Sequence, residues 1–96
     1  MRLDLNNPVF QAQLFKLSKQ DQLGILGTLK KILMLTWNQV YVDKGLNWEA
    51  ILSKTGPHGS RLHTIRVSKK FRAVVYRKEN QMRFLTLHPD HNSAYH

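Results

Sequence analysis

Residues 61–88, RLHTIRVSKKFRAVVYRKENQMRFLTLH, contain the pattern that decides the fold. Three runs in this stretch are rich in β-branched and aromatic residues: RLHTIRV (61–67), FRAVVYRK (71–78) and MRFLTLH (82–88). Such residues favour strands, and the separators SKK and ENQ have the length of hairpin loops. The stretch therefore predicts three antiparallel strands joined in order as a β-meander.

The residues at the start of the chain carry the signals of a short strand and a helix. MRLDL, residues 1–5, alternates apolar and polar side chains, which indicates a short edge strand. Asn7 followed by Pro8 is typical of an N-cap and a first helical position. Apolar residues then recur at helical spacing and predict a first helix over 8–17.

A second helix is expected to begin near Asp21, after a short break at 18–20, and to continue to Trp37. With the first helix it would form an antiparallel hairpin with a short connection. The face expected to be buried consists of Leu23, Leu26, Leu29 or Lys30, Leu33 and Trp37, widened by Ile25, Ile32 and Leu35.

Between the helical hairpin and the strands, residues 43–47 predict a turn. Asn47 is suited to cap a short helix over WEAILSK, residues 48–54, and TGPHGS, residues 55–60, has the composition of a loop. Helices first and strands after indicate an α+β fold, an N-terminal helical hairpin packed on a C-terminal antiparallel β-meander.

Length and composition favour one domain over residues 1–96, since this length supports a single modest core. The chain has no cysteine, which excludes disulfides and thiolate metal sites. The first residues lack the apolar core of a signal peptide, and the longest apolar stretch is interrupted by Lys30 and Lys31. We therefore expect a cytoplasmic protein without a membrane segment.

The net charge of +9 is concentrated in residues 54–83, where nine basic residues face one acid, Glu79. Such a field attracts polyanions, although a solvated basic surface that keeps the protein soluble explains the same charge. Arg66, Arg72 and Arg83 lie on the predicted strands, where neighbouring arginines can converge on a phosphate. The alternative is that these arginines project into solvent from the open side of the sheet.

The chain ends on LHPDHNSAYH, residues 87–96. Histidine exchanges a proton near neutral pH, and tyrosine can stack on a base. His88, His91 and Tyr95 beside the arginines are the residue types that RNA cleavage by its own 2′-OH requires, without a metal or cofactor. A metal site built from His88, Asp90 and His91, with His63 or His96, is the weaker alternative, because Pro89 and a terminal position argue against rigid ligands.

SKKFRAVVYRKENQMRFLTLHPDHNSAY resembles the C-terminal half of the RelE/ParE superfamily of bacterial type II toxins. The resemblance rests on IRV-SKK-FRAVVY with an arginine after an aromatic, on MRF eight residues before a histidine, and on the ending H-N-S-A-Y. It covers residues 61–95, while the first 60 residues match in architecture only.

The resemblance implies an endoribonuclease that cuts mRNA in the ribosomal 30S A site and is held silent by a cognate antitoxin protein. It implies that Arg72 contacts the phosphate, that Arg66 and Arg83 lie near the reacting groups, that His91 transfers a proton and that Tyr95 stacks on or orients the nucleotide. Further RNA-binding candidates are Arg61, His63, Lys69, Lys70 and His88.

Two other readings remain open at this point. The same superfamily includes non-nuclease toxins that act on DNA gyrase, for which His91 would be dispensable. A basic binding module of the same fold, without activity, would hold RNA or an acidic partner with a steep dependence on salt.

Overall fold

The computed structural model describes residues 1–90, and these form an α+β fold with helices on one side of a five-stranded sheet. A single-turn 3₁₀ segment at Pro57–Gly59 precedes the third strand. The helices and strands are β1 (Arg2–Asp4), α1 (Pro8–Lys16), α2 (Lys19–Leu33), α3 (Trp37–Val42), β2 (Glu49–Thr55), β3 (Arg61–Arg66), β4 (Arg72–Lys78) and β5 (Gln81–His88).

The strand order across the sheet is β1-β5-β4-β3-β2. The predicted meander is confirmed, since β3 pairs antiparallel with β4 and β4 pairs antiparallel with β5. The edge strand at the start of the chain is also confirmed, but it runs parallel to β5, with Leu3 opposite Met82. The sheet is therefore mixed, with β1 at one edge beside β5, while the helices lead the chain to β2 at the other edge.

The starts of the first two helices follow the local signals in the sequence. The Asn7 side chain accepts hydrogen bonds from the backbone N–H groups of Val9 and Phe10, and Pro8 occupies the first helical position. Ser18 accepts from the backbone N–H of Asp21 and so begins α2 two residues earlier than predicted. Both caps satisfy N–H groups that have no partner within their own helix.

The prediction of one helix to Trp37 was wrong, because α2 ends at Leu33 and α3 begins at Trp37. Thr36 accepts from the backbone N–H of Gln39, and the Gln39 side chain accepts from the backbone N–H of Thr36. This reciprocal capping box competes with continuation of α2 and turns the chain at 34–36.

The predicted buried face of α2 was also wrong in part. Ile25 and Ile32 are fully buried, with Thr28 and Leu29 beside them, whereas Leu23, Leu26 and Leu33 are exposed. Apolar residues occur on both sides of this helix, so periodicity alone does not decide which side contacts the sheet.

The short helix predicted over 48–54 is absent, and β2 runs from Glu49 to Thr55 instead. Glu49 pairs with Thr64 and Ala50 pairs with His63, so the edge of β3 supplies backbone partners to this segment. Helix propensity was overridden by a pairing with residues more than a dozen positions away.

The core lies between the helices and the sheet, where Phe10, Ile25 and Ile32 meet Phe84 and Val75. A smaller apolar cluster of Ile51, Leu62, Val74 and Tyr76, with Leu85 against it, lies on the other side of the sheet. We call that side the open face, because the helices of residues 1–90 pack on the opposite side. None of the helices within these ninety residues has the length and apolar character needed to span a bilayer.

Candidate nucleic-acid interface

Three predicted site residues lie side by side on the open face. Arg66 of β3 is directly opposite Arg72 of β4, and Arg72 is directly opposite His88 of β5. Directly opposed residues on antiparallel strands share a face, with Cα atoms about 4.5–5.5 Å apart. Arg66, Arg72 and His88 therefore form a row across three strands, which we call the basic row.

His88 reaches this face because the register between β4 and β5 shifts. Val75 pairs with Phe84 but Val74 pairs with Thr86, which leaves Leu85 as an extra residue in β5. Before this bulge Met82 and Phe84 point into the core, and after it Leu87 does. The shift therefore exchanges odd and even positions and places His88 on the open face.

Arg72 is 5% exposed, which is unusual for an arginine on the solvent side of a sheet. Its Nη1 donates to the backbone carbonyls of Ser68, Lys69 and Phe71, at 2.8, 3.2 and 3.2 Å. The guanidinium thus folds back under the β3–β4 connection. Its buried Nε has no hydrogen-bond partner among the described residues.

The exposed cations of this region surround Arg72. Arg66 is exposed at the end of β3, and Lys69 and Lys70 are exposed in the connection that Arg72 holds. Of the three arginines predicted on the strands, Arg66 and Arg72 are thus brought together, with different roles. Arg66 can contact an anion directly, while Arg72 adds charge beneath the surface and orders the connection that presents the lysines.

His88 is half-buried, and its Nε2 lies 2.7 Å from the hydroxyl oxygen of Thr86. Burial, followed by the positive charge of Lys54, lowers the pKa of His88 below its ordinary value of 6.5. The imidazole is therefore neutral at pH 7 and can accept a proton, which suits a general base.

A cleft of about 210 Å³ lies beside the basic row on the open face. Most of the small apolar cluster contributes to its lining, together with polar side chains from β2 and β5. The residues that line it are Ile51, Lys54, Leu62, Val74, Leu85, Thr86 and His88. We call it the β5 cleft.

Arg83 lies away from the basic row, near β1. Its Nε is 3.3 Å from a carboxylate oxygen of Asp4, and it also donates to Gln81 and to the Tyr76 hydroxyl. The hydrogen bond to Tyr76 is the main cause that raises the pKa of Arg83 further, so this residue stays cationic. These contacts tie β1 to β5, and the predicted role of Arg83 at the reacting groups stays a prediction.

Two of the predicted RNA-binding residues, Arg61 and His63, fall on the helix-facing side of β3. The His63 ring stacks on Trp48, with centroids 4.1 Å apart and planes at 17°. Burial is the main cause that lowers the pKa of His63, and its Nδ1 is buried without a hydrogen-bond partner in the described part of the chain. Side chains alternate between the two faces of a strand, so the sequence alone places residues 61 and 63 on the opposite face of β3 from residue 66.

The predicted roles of His91 and Tyr95 lie outside the described residues. Within residues 1–90, no group of three or more histidine, aspartate or glutamate side chains is arranged to hold a metal ion. His96, a further ligand considered for the alternative metal site, also lies beyond residue 90.

Lys54 and Thr86 are site residues that the sequence analysis missed. Lys54 was assigned to a helix that does not form, so its place beside His88 was hidden. Thr86 lies two positions before His88, and residues at this spacing share a strand face. The sequence could therefore have predicted that Thr86 lies beside His88.

We compared the chain with protein-family models, curated proteins and solved structures, and none of the three comparisons produced a match.

Proposed function

We propose that this chain is a type II toxin of the RelE/ParE kind, a ribosome-dependent endoribonuclease that cleaves translated mRNA by attack of the RNA 2′-OH on the adjacent phosphate. The observation that carries the proposal is the basic row, in which His88 lies directly opposite Arg72 on one sheet face, and burial lowers the pKa of this histidine. The resemblance of residues 61–95 supplies the reaction class, and the order of helices and strands is compatible with it.

The reaction needs positive charge at the phosphate, a base that takes the proton of the 2′-OH and an acid that protonates the leaving 5′-oxygen. In the proposed step the 2′-oxygen forms a bond to phosphorus and the bond from phosphorus to the 5′-oxygen breaks. The products are a 2′,3′-cyclic phosphate and a 5′-hydroxyl. His88 takes the 2′-OH proton, since its lowered pKa keeps it unprotonated at pH 7.

The cations stabilise the charge that gathers on the phosphate oxygens. Arg66 is exposed and offers paired donors to those oxygens, and Lys69 and Lys70 extend the positive field toward the flanking phosphates. Arg72 acts from below, where its buried charge is only weakly screened by solvent. His91 remains the predicted donor of the proton to the 5′-oxygen, and Tyr95 the predicted stacking group.

The proposal includes a cognate antitoxin and a cytoplasmic setting. An acidic segment of the antitoxin would cover the open face, since this face carries Arg66, Arg72 and Lys54. The outer edge of β2 offers backbone groups for strand addition, because within residues 1–90 β2 pairs with β3 on one side only.

The test is inducible expression in bacteria, with growth measured alongside primer extension on a translated reporter mRNA. Arg66→Gln and His88→Gln should each lose cleavage and toxicity. The matched control is Arg61→Gln, which removes the same charge from an exposed arginine at the other end and on the other side of β3.

We expect the wild type and Arg61→Gln to cleave the reporter mRNA at codons. Arg66→Gln and His88→Gln should not cleave it. Equal loss in all three variants would refute the assignment to the open face. Toxicity with intact mRNA and halted DNA replication would replace the ribonuclease by a gyrase-directed toxin. A harmless wild type would leave a basic binding module.

A further inference from the structure

We propose that the β5 cleft binds one nucleobase of the RNA whose phosphate lies on the basic row. This inference rests on the proposed function and adds a subsite to it. The β5 cleft and the basic row share His88, so a nucleotide bound across them would have its base and its phosphate on adjacent parts of one surface.

The size and lining of the β5 cleft suit a flat ring. Ile51, Leu62 and Val74 in its lining are each at most 6% exposed, so this part of the lining is fixed by packing. A volume of about 210 Å³ is below the roughly 300–1,000 Å³ of sites that hold a whole drug-sized ligand. The β5 cleft therefore has room for one ring of a larger ligand.

Three of the residues that line the β5 cleft carry polar groups that can pair with the edge of such a ring. The Thr86 hydroxyl both donates and accepts hydrogen bonds, and His88 of β5 and Lys54 of β2 also line the β5 cleft. Nucleobases combine apolar faces with donor and acceptor edges, and this lining offers partners for both.

The charge around the β5 cleft favours a nucleotide over an apolar side chain of a protein. Lys54 lines the β5 cleft itself, and Arg72 is the cross-strand neighbour of His88. Thr86 and His88 are two residues apart, which is about 6.5 Å along a strand. One ribose spans that separation, so a base beside Thr86 places its phosphate at the basic row.

The test is binding of a fluorescently labelled RNA hexamer made of 2′-O-methyl nucleotides, which lack the attacking hydroxyl and stay intact. The comparison hexamer carries one abasic ribose at the central position. The wild type should bind the intact hexamer roughly 5- to 100-fold more tightly than the abasic one, the range that stacking of one base supplies.

Leu85→Trp places an indole in the β5 cleft, because Leu85 lines it and is half-buried. This variant should bind both hexamers with the affinity that the wild type has for the abasic one. Leu52→Trp is the matched control, since Leu52 is 82% exposed on β2, and it should behave like the wild type. Thr86→Val, which keeps the shape and removes the hydroxyl, should flatten the preference among the four bases.

Equal affinity of the wild type for both hexamers, with Arg66→Gln weakening both, would overturn the subsite while leaving RNA binding on the open face intact. The β5 cleft would then be assigned to an apolar side chain of a protein partner. Failure to bind either hexamer at low salt would overturn the subsite, whereas the proposed ribosome-dependent cleavage is refuted only by the primer-extension assay on translated mRNA.

Discussion

Arg72→Met is expected to destabilise the protein strongly, although Arg72 lies in a row of proposed RNA-binding residues. The methionine keeps most of the aliphatic volume and removes the donors, so the change isolates the hydrogen bonds to the β3–β4 connection. Nη1 carries two hydrogens shared among three carbonyls. At about 1.5–3 kcal/mol for a hydrogen bond from a charged group, two such bonds contribute roughly 3–6 kcal/mol.

The lower end of that range applies, because Ser68 and Lys69 are exposed and water can reach their carbonyls after the substitution. A loss of about 3 kcal/mol corresponds to a fall in Tm of roughly 12–24 °C for a domain of this size. Thermal unfolding followed by circular dichroism measures it, with Arg66→Met as the control. Arg66 is exposed, so its replacement should change the unfolding free energy by about 0.5 kcal/mol or less.

A Tm of Arg72→Met within about 4 °C of the wild type, a change of 1 kcal/mol or less, would refute the idea that this arginine holds the connection. If the large shift is found, loss of activity in Arg72 variants is not by itself evidence that Arg72 contacts RNA. Arg66→Gln is then the informative substitution for binding.

Three further predictions concern other parts of the fold. Gly56→Ala should cost about 1–3 kcal/mol in urea unfolding, because its new methyl group would overlap the buried side chain of Leu62; an unchanged midpoint would mean that this loop is not tightly packed. Burial lowers the pKa of His63 in the folded protein. As the pH is lowered from 7.5 to 5, His63 therefore binds a proton more readily in the unfolded chain than in the folded protein, and Tm should fall. His63→Phe should weaken this pH dependence, and an identical slope would contradict the assignment. Thr36→Ala should cost about 1 kcal/mol in the same urea assay by removing the cap of α3, whereas an unaltered unfolding curve would show that the cap is dispensable.

The strands that carry the proposed site were predictable because their signals are local. Alternation and short hairpin loops identified β3, β4 and β5, and the pairing of consecutive strands brought Arg66 beside Arg72. The second strand was not predictable in this way. Residues 49–55 have helix-forming composition, and only the edge of β3 makes them a strand.

Two other features of the fold depend on packing and loop geometry that sequence spacing does not specify. Apolar residues lie on both sides of α2, and the side that carries Ile25 and Ile32 is the one that packs in the core. The burial of Arg72 depends on how the β3–β4 connection curls, which no spacing in the sequence specifies. By contrast, the separation of His63 from Arg66 follows from counting positions along one strand.

The extra residue in β5 marks a point at which the length of this strand can change without moving His88 to the other face of the sheet. Substitutions at Leu85 or Thr86 leave His88 on its side of the sheet, since the backbone register stays the same. Deletion of one of these two residues would remove the bulge and restore simple alternation, with Leu87 still toward the core and His88 still opposite Arg72 on the open face. Loss of one residue at the bulge should therefore leave the basic row in place, whereas loss of one residue from the paired part of β5 between the bulge and His88 would move His88 to the other face.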